Sequence, residues 1–148
     1  MPLLNYTTTI ESEQTIGEIQ KKLSGFGVAA MMTEYDGPQV SAVSFKMNIE
    51  GKAIAFKMPC NWRAVRQVFE DQGISRGKMK HKDKSLDNQA VRTAWRIILV
   101  WVEAQLALVE VNMATIPQIF LPWAIMKDGR TLSEHVESDP SFLLEGGQ

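Results

Sequence analysis

Arg92 and Arg96 lie four residues apart with Trp95 between them, and this is the densest grouping of chemistry-bearing side chains in the sequence. Two guanidinium groups one helical turn apart can grip a phosphate, and an indole beside them can stack on a base. The competing reading is that both arginines pair with Glu103 or with acids of a neighbouring subunit. Arg63 and Arg66 sit one residue closer together, just after Asn61. Asn61 has the form of a helix cap, so free N–H groups there can take an anion. Solvated surface is the alternative.

A third cationic feature runs from Arg76 to Lys84. Arg76, Lys78, Lys80, Lys82 and Lys84 alternate with other residues, Asp83 is the one acid, and the net charge is +4 with His81 neutral. Such a stretch can track a phosphate backbone. It carries no interleaved aromatic, so it lacks the stacking half of a single-strand binding signature, and a solvated, mobile loop competes with it. The chain as a whole is at −1, which leaves about −5 elsewhere and disfavours a long polyanion as partner.

Catalytic chemistry is harder to find. Cys60 stands beside Pro59 and Asn61 with no His nearby in sequence, and reads as a small half-buried residue. His81 and His135 have no carboxylate or His partner at ligand spacing, so no metal is expected. Asp36, Asp128 and Glu134 read as turn or cap residues before general acids. There is no nucleophile elbow, no phosphate loop and no dinucleotide fingerprint. The expectation is a protein without catalytic residues, metal or cofactor. The candidate ligand-binding set is Arg92, Arg96, Trp95, Arg63, Arg66 and Asn61.

The arginine pair belongs to the element around which the chain is organised. Asn88–Asn112 contains neither Pro nor Gly, Asp87 or Ser85 can cap it, and Pro117 bars continuation a turn past its end. At about 1.5 Å per residue it makes a rod of roughly 37 Å. Arg92, Arg96, Glu103 and Glu110 fall within roughly 40° of one another at about 100° per residue. Nearly everything else on the rod is apolar, so it must be buried on most sides, by the rest of the chain or by a second subunit. The surrounding elements look too small to cover it, and a homo-oligomer is expected.

The other elements follow from periodicity and punctuation. Tyr6 to Ile10 is β-branched and aromatic and predicts a first strand. Thr15-Ile16-Gly17-Glu18 has the form of a capping box, with Ile16, Ile19 and Leu23 on one helix face. Val28 to Tyr35 predicts a second strand. Val43, Phe45, Met47 and Ile49 alternate with polar residues, Glu50-Gly51 turns, and Ile54, Phe56 and Met58 continue, so Val40 to Met58 predicts a hairpin. A short helix over Trp62 to Asp71 ends at Gly73. The fold class is α+β: an antiparallel sheet of about four strands packed on one long buried helix, with short accessory helices.

The length, 148 residues, fits one domain, read as 1–135, with a partly frayed tail over 136–148. Apolar residues at 45% and charged residues at 22% exclude disorder as the default. One cysteine excludes an internal disulfide framework. Met1-Pro2-Leu3-Leu4-Asn5 lacks the pattern of a signal peptide. The longest strictly apolar run, Ile97 to Val102, falls far short of the ~20 residues that span a bilayer. A cytoplasmic protein with no membrane association is expected.

Several short motifs occur in a telling order. They are Thr15-Ile16-Gly17-Glu18-Ile19, Glu34-Tyr35-Asp36, Phe56-Lys57-Met58-Pro59, Ala94-Trp95-Arg96, Trp101-Val102-Glu103-Ala104-Gln105, Phe120-Leu121-Pro122 and Asp128-Gly129-Arg130-Thr131-Leu132. With these the chain resembles a large family of short phage and prophage proteins, from about Tyr6 to Leu132. Cys60 and Trp123 depart from that pattern, where Ala and Tyr are more usual. The resemblance carries over no catalytic residue. It implies a small protein of the host cytoplasm that acts by binding. It could coat single-stranded nucleic acid as a DNA-metabolism accessory, block a host defence protein, or sequester a nucleotide-derived immune signal. The last agrees best with arginines and an indole on a buried helix, and makes the expected function that of a counter-defence sponge.

Overall fold

A computed structural model describes residues 1–146. The first helix, α1 (Ser12–Ser24), buries Thr15, Ile16, Ile19 and Leu23 along one face. It begins one turn before the expected capping box. Thr15 is inside the helix and fully buried, its hydroxyl donating to the Glu11 carbonyl at 3.4 Å. The buried stripe runs back through Thr15 to Ser12, and the helix follows the stripe.

The strand expected at Tyr6–Ile10 does not form. Asn5 takes a left-handed φ of 61°, and the Tyr6 and Thr8 N–H groups turn back onto Leu3 and Asn5. The segment's carbonyls are met by side chains instead of a ladder. Gln89 Nε2 donates to the Tyr6 and Thr8 carbonyls, each at 3.0 Å, and Thr93 Oγ1 donates to the Asn5 carbonyl at 3.1 Å. A β-rich composition needs a partner strand, and here a helix supplied the hydrogen bonds first.

The sheet therefore has three strands, β1 (Val28–Asp36), β2 (Gln39–Ile49) and β3 (Lys52–Pro59), antiparallel in that order. Glu50 and Gly51 both have positive φ, 51° and 83°, which a two-residue hairpin turn of the mirror-image type requires. Phe45 lies opposite Met31 on one side and Phe56 on the other, so Val43, Phe45 and Met47 face the core. A short length of chain lies along the free edge of β3: Ile125 N–H donates to the Ala55 carbonyl at 2.9 Å.

Helix α2 (Trp62–Asp71) has the expected bounds, with Asn61 capping Ala64 N–H at 3.3 Å. The long helix α3 (Leu86–Glu110) is shifted two residues toward the N-terminus from its expected position. Ser85 is the cap, accepting from Asn88 N–H, and Asn112 at φ 63° takes the left-handed conformation that ends it. The sheet, α1 and α2 all pack on α3. Phe45, Phe56, Phe120 and Trp101 form a chain of ring contacts with centroids 5.1 to 6.0 Å apart.

The basic loop before α3 is anchored. Ile74 and Met79 are buried, and Lys84 Nζ donates to the Met79 carbonyl at 2.6 Å. His81 pairs with Glu11, and Asp83 accepts from Ser85 N–H and the Asn88 amide. Beyond α3 come α4 (Ile116–Phe120) and α5 (Leu132–Ser138), each opened by a capping box, Thr115 with Gln118 and Thr131 with Glu134. The domain end expected at residue 135 falls within α5. Of the residues expected to fray, Gly147 and Gln148 lie outside the described residues.

Candidate functional site

The charged stripe of α3 divides the helix into two apolar faces. On one face Val91, Trp95, Leu99, Val102 and Leu106 are buried against the rest of the chain. At about 100° per residue, Ile97, Val100, Trp101, Ala104, Leu108 and Val111 fall on the roughly opposite side. That side is covered only in part: Ile97, Trp101 and Leu108 are half-buried, whereas Ala104 is exposed, Val100 is 47% exposed and Val111 62% exposed. Trp101 is half-buried, its ring edge against Phe120. Met113, just past the helix, is 74% exposed and prolongs the strip. Arg92, Arg96, Glu103 and Glu110 run between the two faces.

The expected ligand-binding residues are dispersed by this geometry. Trp95 is on the core face and fully buried, its indole N–H donating to the Val40 carbonyl at 3.2 Å. It offers no ring face to a base. Arg92 is also buried, at 3% exposure. Its guanidinium donates to Gln89 Oε1 at 2.6 and 3.1 Å and to the Asp83 carbonyl at 3.4 Å, and it lies 3.6 Å from the Asp83 carboxylate. It floors a cleft of about 300 Å³ whose walls include Glu11, Glu13 and Asp83, which repel an anion.

Arg96 opens onto a different cleft, of about 520 Å³, between α1 and α3. It pairs with Glu18 at 2.7 Å. Lys21 and Lys22 share that groove with Glu18 and Glu103, so three cations face two acids there. Arg63 lies over the Trp62 ring at 4.5 Å and pairs with Asp36. Arg66 joins α2 to α3 through Asp87 and also reaches Glu70 at 3.3 Å. Asn61 spends its side chain on the α2 cap. The arginines pair with acids as the competing reading held, but on other elements of the same chain and not at Glu103.

Other candidate chemistry is held by local bonding. The Asp128 carboxylate is kept well below the usual range by hydrogen bonds, first from His135, then from the Arg130 backbone and side chain. A carboxylate depressed in this way adds stability above its ordinary value near 4 and loses it as pH falls further. Among the described residues no cluster of His, Cys, Asp or Glu is suited to hold a metal ion, and no helix is long and apolar enough to cross a membrane.

Cys60 is buried, and burial pushes its thiol up to about 12. At neutral pH it is the thiol, which is not a nucleophile. A thiol-specific disulfide reagent should leave it unmodified in the native protein at pH 8 and modify it fully once the chain is unfolded. Stoichiometric native labelling within minutes would show that the site opens.

Comparison with known proteins gives no match: no family model fits the chain, and no curated protein or solved structure resembles it at a significant level. The sequence-derived ligand-binding set contains no residue of the outer face of α3. The signal of that face was present, because positions 97, 104 and 111 repeat every seven residues with 100, 101 and 108 between them.

Proposed function

We propose that this chain is a non-enzymatic binding protein that acts through protein–protein contact, with the outer face of α3 as the contact surface. The observation that carries this is the exposure of Val100 and Val111 on a helix whose opposite face is already packed. A contiguous apolar strip left in water on a folded protein marks an interaction site. The residue chemistry agrees: a protein that works by occupancy needs complementary surface and no activated nucleophile. Taken with the resemblance to short phage proteins, this is a counter-defence factor that acts by occupying its partner.

A nucleotide-sequestering role draws support from one place, the α1–α3 groove, where Arg96, Lys21 and Lys22 outnumber Glu18 and Glu103. It has neither the indole nor the second arginine that a tight nucleotide site was expected to use.

Photocross-linking in producing cells tests the proposal. A photoreactive residue at Val100 should give abundant protein adducts, and one at the exposed Lys52 at the start of β3 should give few. Equal yields at both positions count against the interface. A thermal shift with a nucleotide that is lost in Arg96→Ala would transfer the function to the groove.

A further inference from the structure

We infer that the free edge of β1 pairs with the same edge of a second copy of the chain, antiparallel about a two-fold axis at Met32, so that two three-stranded sheets join into one. This surface is separate from the outer face of α3.

The fold treats the two edges of its sheet differently. The β3 edge is occupied: Ile125 N–H donates to the Ala55 carbonyl at 2.9 Å, and Ala124 bridges to Phe56. β1 forms the other edge, and among the described residues its outward main-chain groups bond to no further segment. β1 contains no Pro, Lys or Arg to block an incoming strand. Ala29 and Ala30 are exposed, Met32 is 57% exposed and Tyr35 is 64% exposed. The ladder to β2 shifts at Ala29 and again at Ser41, and between those shifts Ala30–Glu34 keeps a regular register. An open, regular, largely apolar edge is a template for another strand.

Charge names the occupant. Lys46 faces Ala30 in register on the solvent side of the sheet, and among the described residues it has no ion pair or hydrogen bond. Glu34 uses one carboxylate oxygen for Lys57, at 3.0 Å, and its other oxygen is unbonded. Met32 is the midpoint of the regular stretch. With the axis there, Met32 meets itself, Met31 meets Thr33 of the other copy, and Ala30 meets Glu34 of the other copy. That Glu34 then lies in one row with Ala30 and Lys46, two strands from the lysine and about 10 Å away between Cα atoms. A wider span is already bridged within the chain. Glu34 and Lys57 are also two strands apart, and are offset along them as well, because Glu34 faces Ala42 and Lys57 faces Ser44. The short Ala30 side chain leaves the path to Lys46 open. Symmetry forms the pair twice, and the two Glu34 residues stand about 13 Å apart along the strands, which screens their repulsion. The ladder adds about four to six main-chain hydrogen bonds. Five residues a side bury less than the ~800 Å² per partner of a typical tight complex, so the association is weak and concentration-dependent.

Sedimentation velocity of the whole chain from about 1 to about 300 µM, with cysteine cross-linking, tests this. The expected result is a concentration-dependent species of twice 16.6 kDa. Lys46→Glu, at an exposed position, should weaken it at least about 10-fold by setting two acids together, with the far-UV circular dichroism unchanged. Combining Lys46→Glu with Glu34→Lys reverses both charges and should restore it. Under mild oxidation Met32→Cys should give a covalent dimer, and Ala30→Cys, whose two copies lie on opposite sides of the axis, should not. Val100→Glu, on the outer face of α3, should leave the dimer intact. A wild-type chain that stays at 16.6 kDa at the highest concentration overturns the proposal, as does a dimer undisturbed by Lys46→Glu. Cross-linking of Ala30→Cys as fast as Met32→Cys overturns the axis at Met32. A dimer lost in Val100→Glu belongs to α3 and not to the β1 edge. Photoadducts at Met32 that contain only a different protein overturn the self-pairing.

Discussion

Trp95→Ala lowers the stability of the folded chain by about 3–5 kcal/mol, the range for removing a fully buried tryptophan from a packed core. The indole is completely enclosed, and its N–H donates to the Val40 carbonyl at 3.2 Å. Truncation removes its dispersion contacts with the sheet and helices, leaves a cavity, and strands a buried carbonyl on β2. Domains of this size are stable by about 5–15 kcal/mol, so the variant stands near the edge of folding. Urea denaturation followed by circular dichroism measures the change. A ligand-stacking tryptophan would behave differently, because its loss would abolish binding and leave the midpoint almost unmoved. A shift under 1 kcal/mol would mean that Trp95 is not the core residue its burial indicates.

The second large effect belongs to Arg92→Met. Arg92 is 3% exposed, and it supplies the donors that satisfy Gln89 Oε1 and one side of Asp83. Gln89 is itself buried and holds the N-terminal segment through the Tyr6 and Thr8 carbonyls. Removing one partner of a buried ionic network costs about 3–5 kcal/mol when every member is dry. Asp83 is 37% exposed, so the expected loss is smaller, about 2–3 kcal/mol after solvent screening of that carboxylate. Arg63→Met should cost less than about 1 kcal/mol, because its pair with Asp36 is on the surface.

The pH dependence has a definite sign. Asp83 is held below its usual pKa by the Asn88 amide first, then by Ser85 N–H, with Arg92 a smaller contributor. Its folded value is depressed, so its contribution is present above about pH 4 and fades as pH falls through the folded value. The gap between wild type and Arg92→Met should therefore narrow on acidification. A gap that widens below pH 4 would show that Arg92 is not coupled to Asp83.

Local rules carried much of the reading of this fold. The hairpin of β2 and β3 follows from strict alternation around Glu50-Gly51, where both turn residues take positive φ. The bounds of α2 follow from Asn61 as cap. The small discrepancies in α3 have local causes too, since Ser85 rather than Asp87 made the cap and Asn112 turned left-handed. The Tyr6–Ile10 segment failed for a nonlocal reason. Its composition suits a strand, but its Tyr6 and Thr8 carbonyls were taken by Gln89, more than eighty residues away in sequence, with Thr93 holding the Asn5 carbonyl just before it.

The candidate site shows the same division more sharply. The sequence by itself established that α3 is long and apolar nearly all round, with one charged stripe, and that Arg92, Trp95 and Arg96 share a turn. Those are properties of helical period and composition, and no tertiary contact can alter them. Which apolar side faces the core was undetermined, because the stripe leaves an apolar face on each flank and either can pack on the sheet. Tertiary structure settled it by placing the sheet, α1 and α2 against Val91, Trp95, Leu99 and Val102. That choice sealed Trp95 away from any ligand, gave Arg92 and Arg96 separate acidic partners on different elements, and left Val100, Ala104 and Val111 facing water.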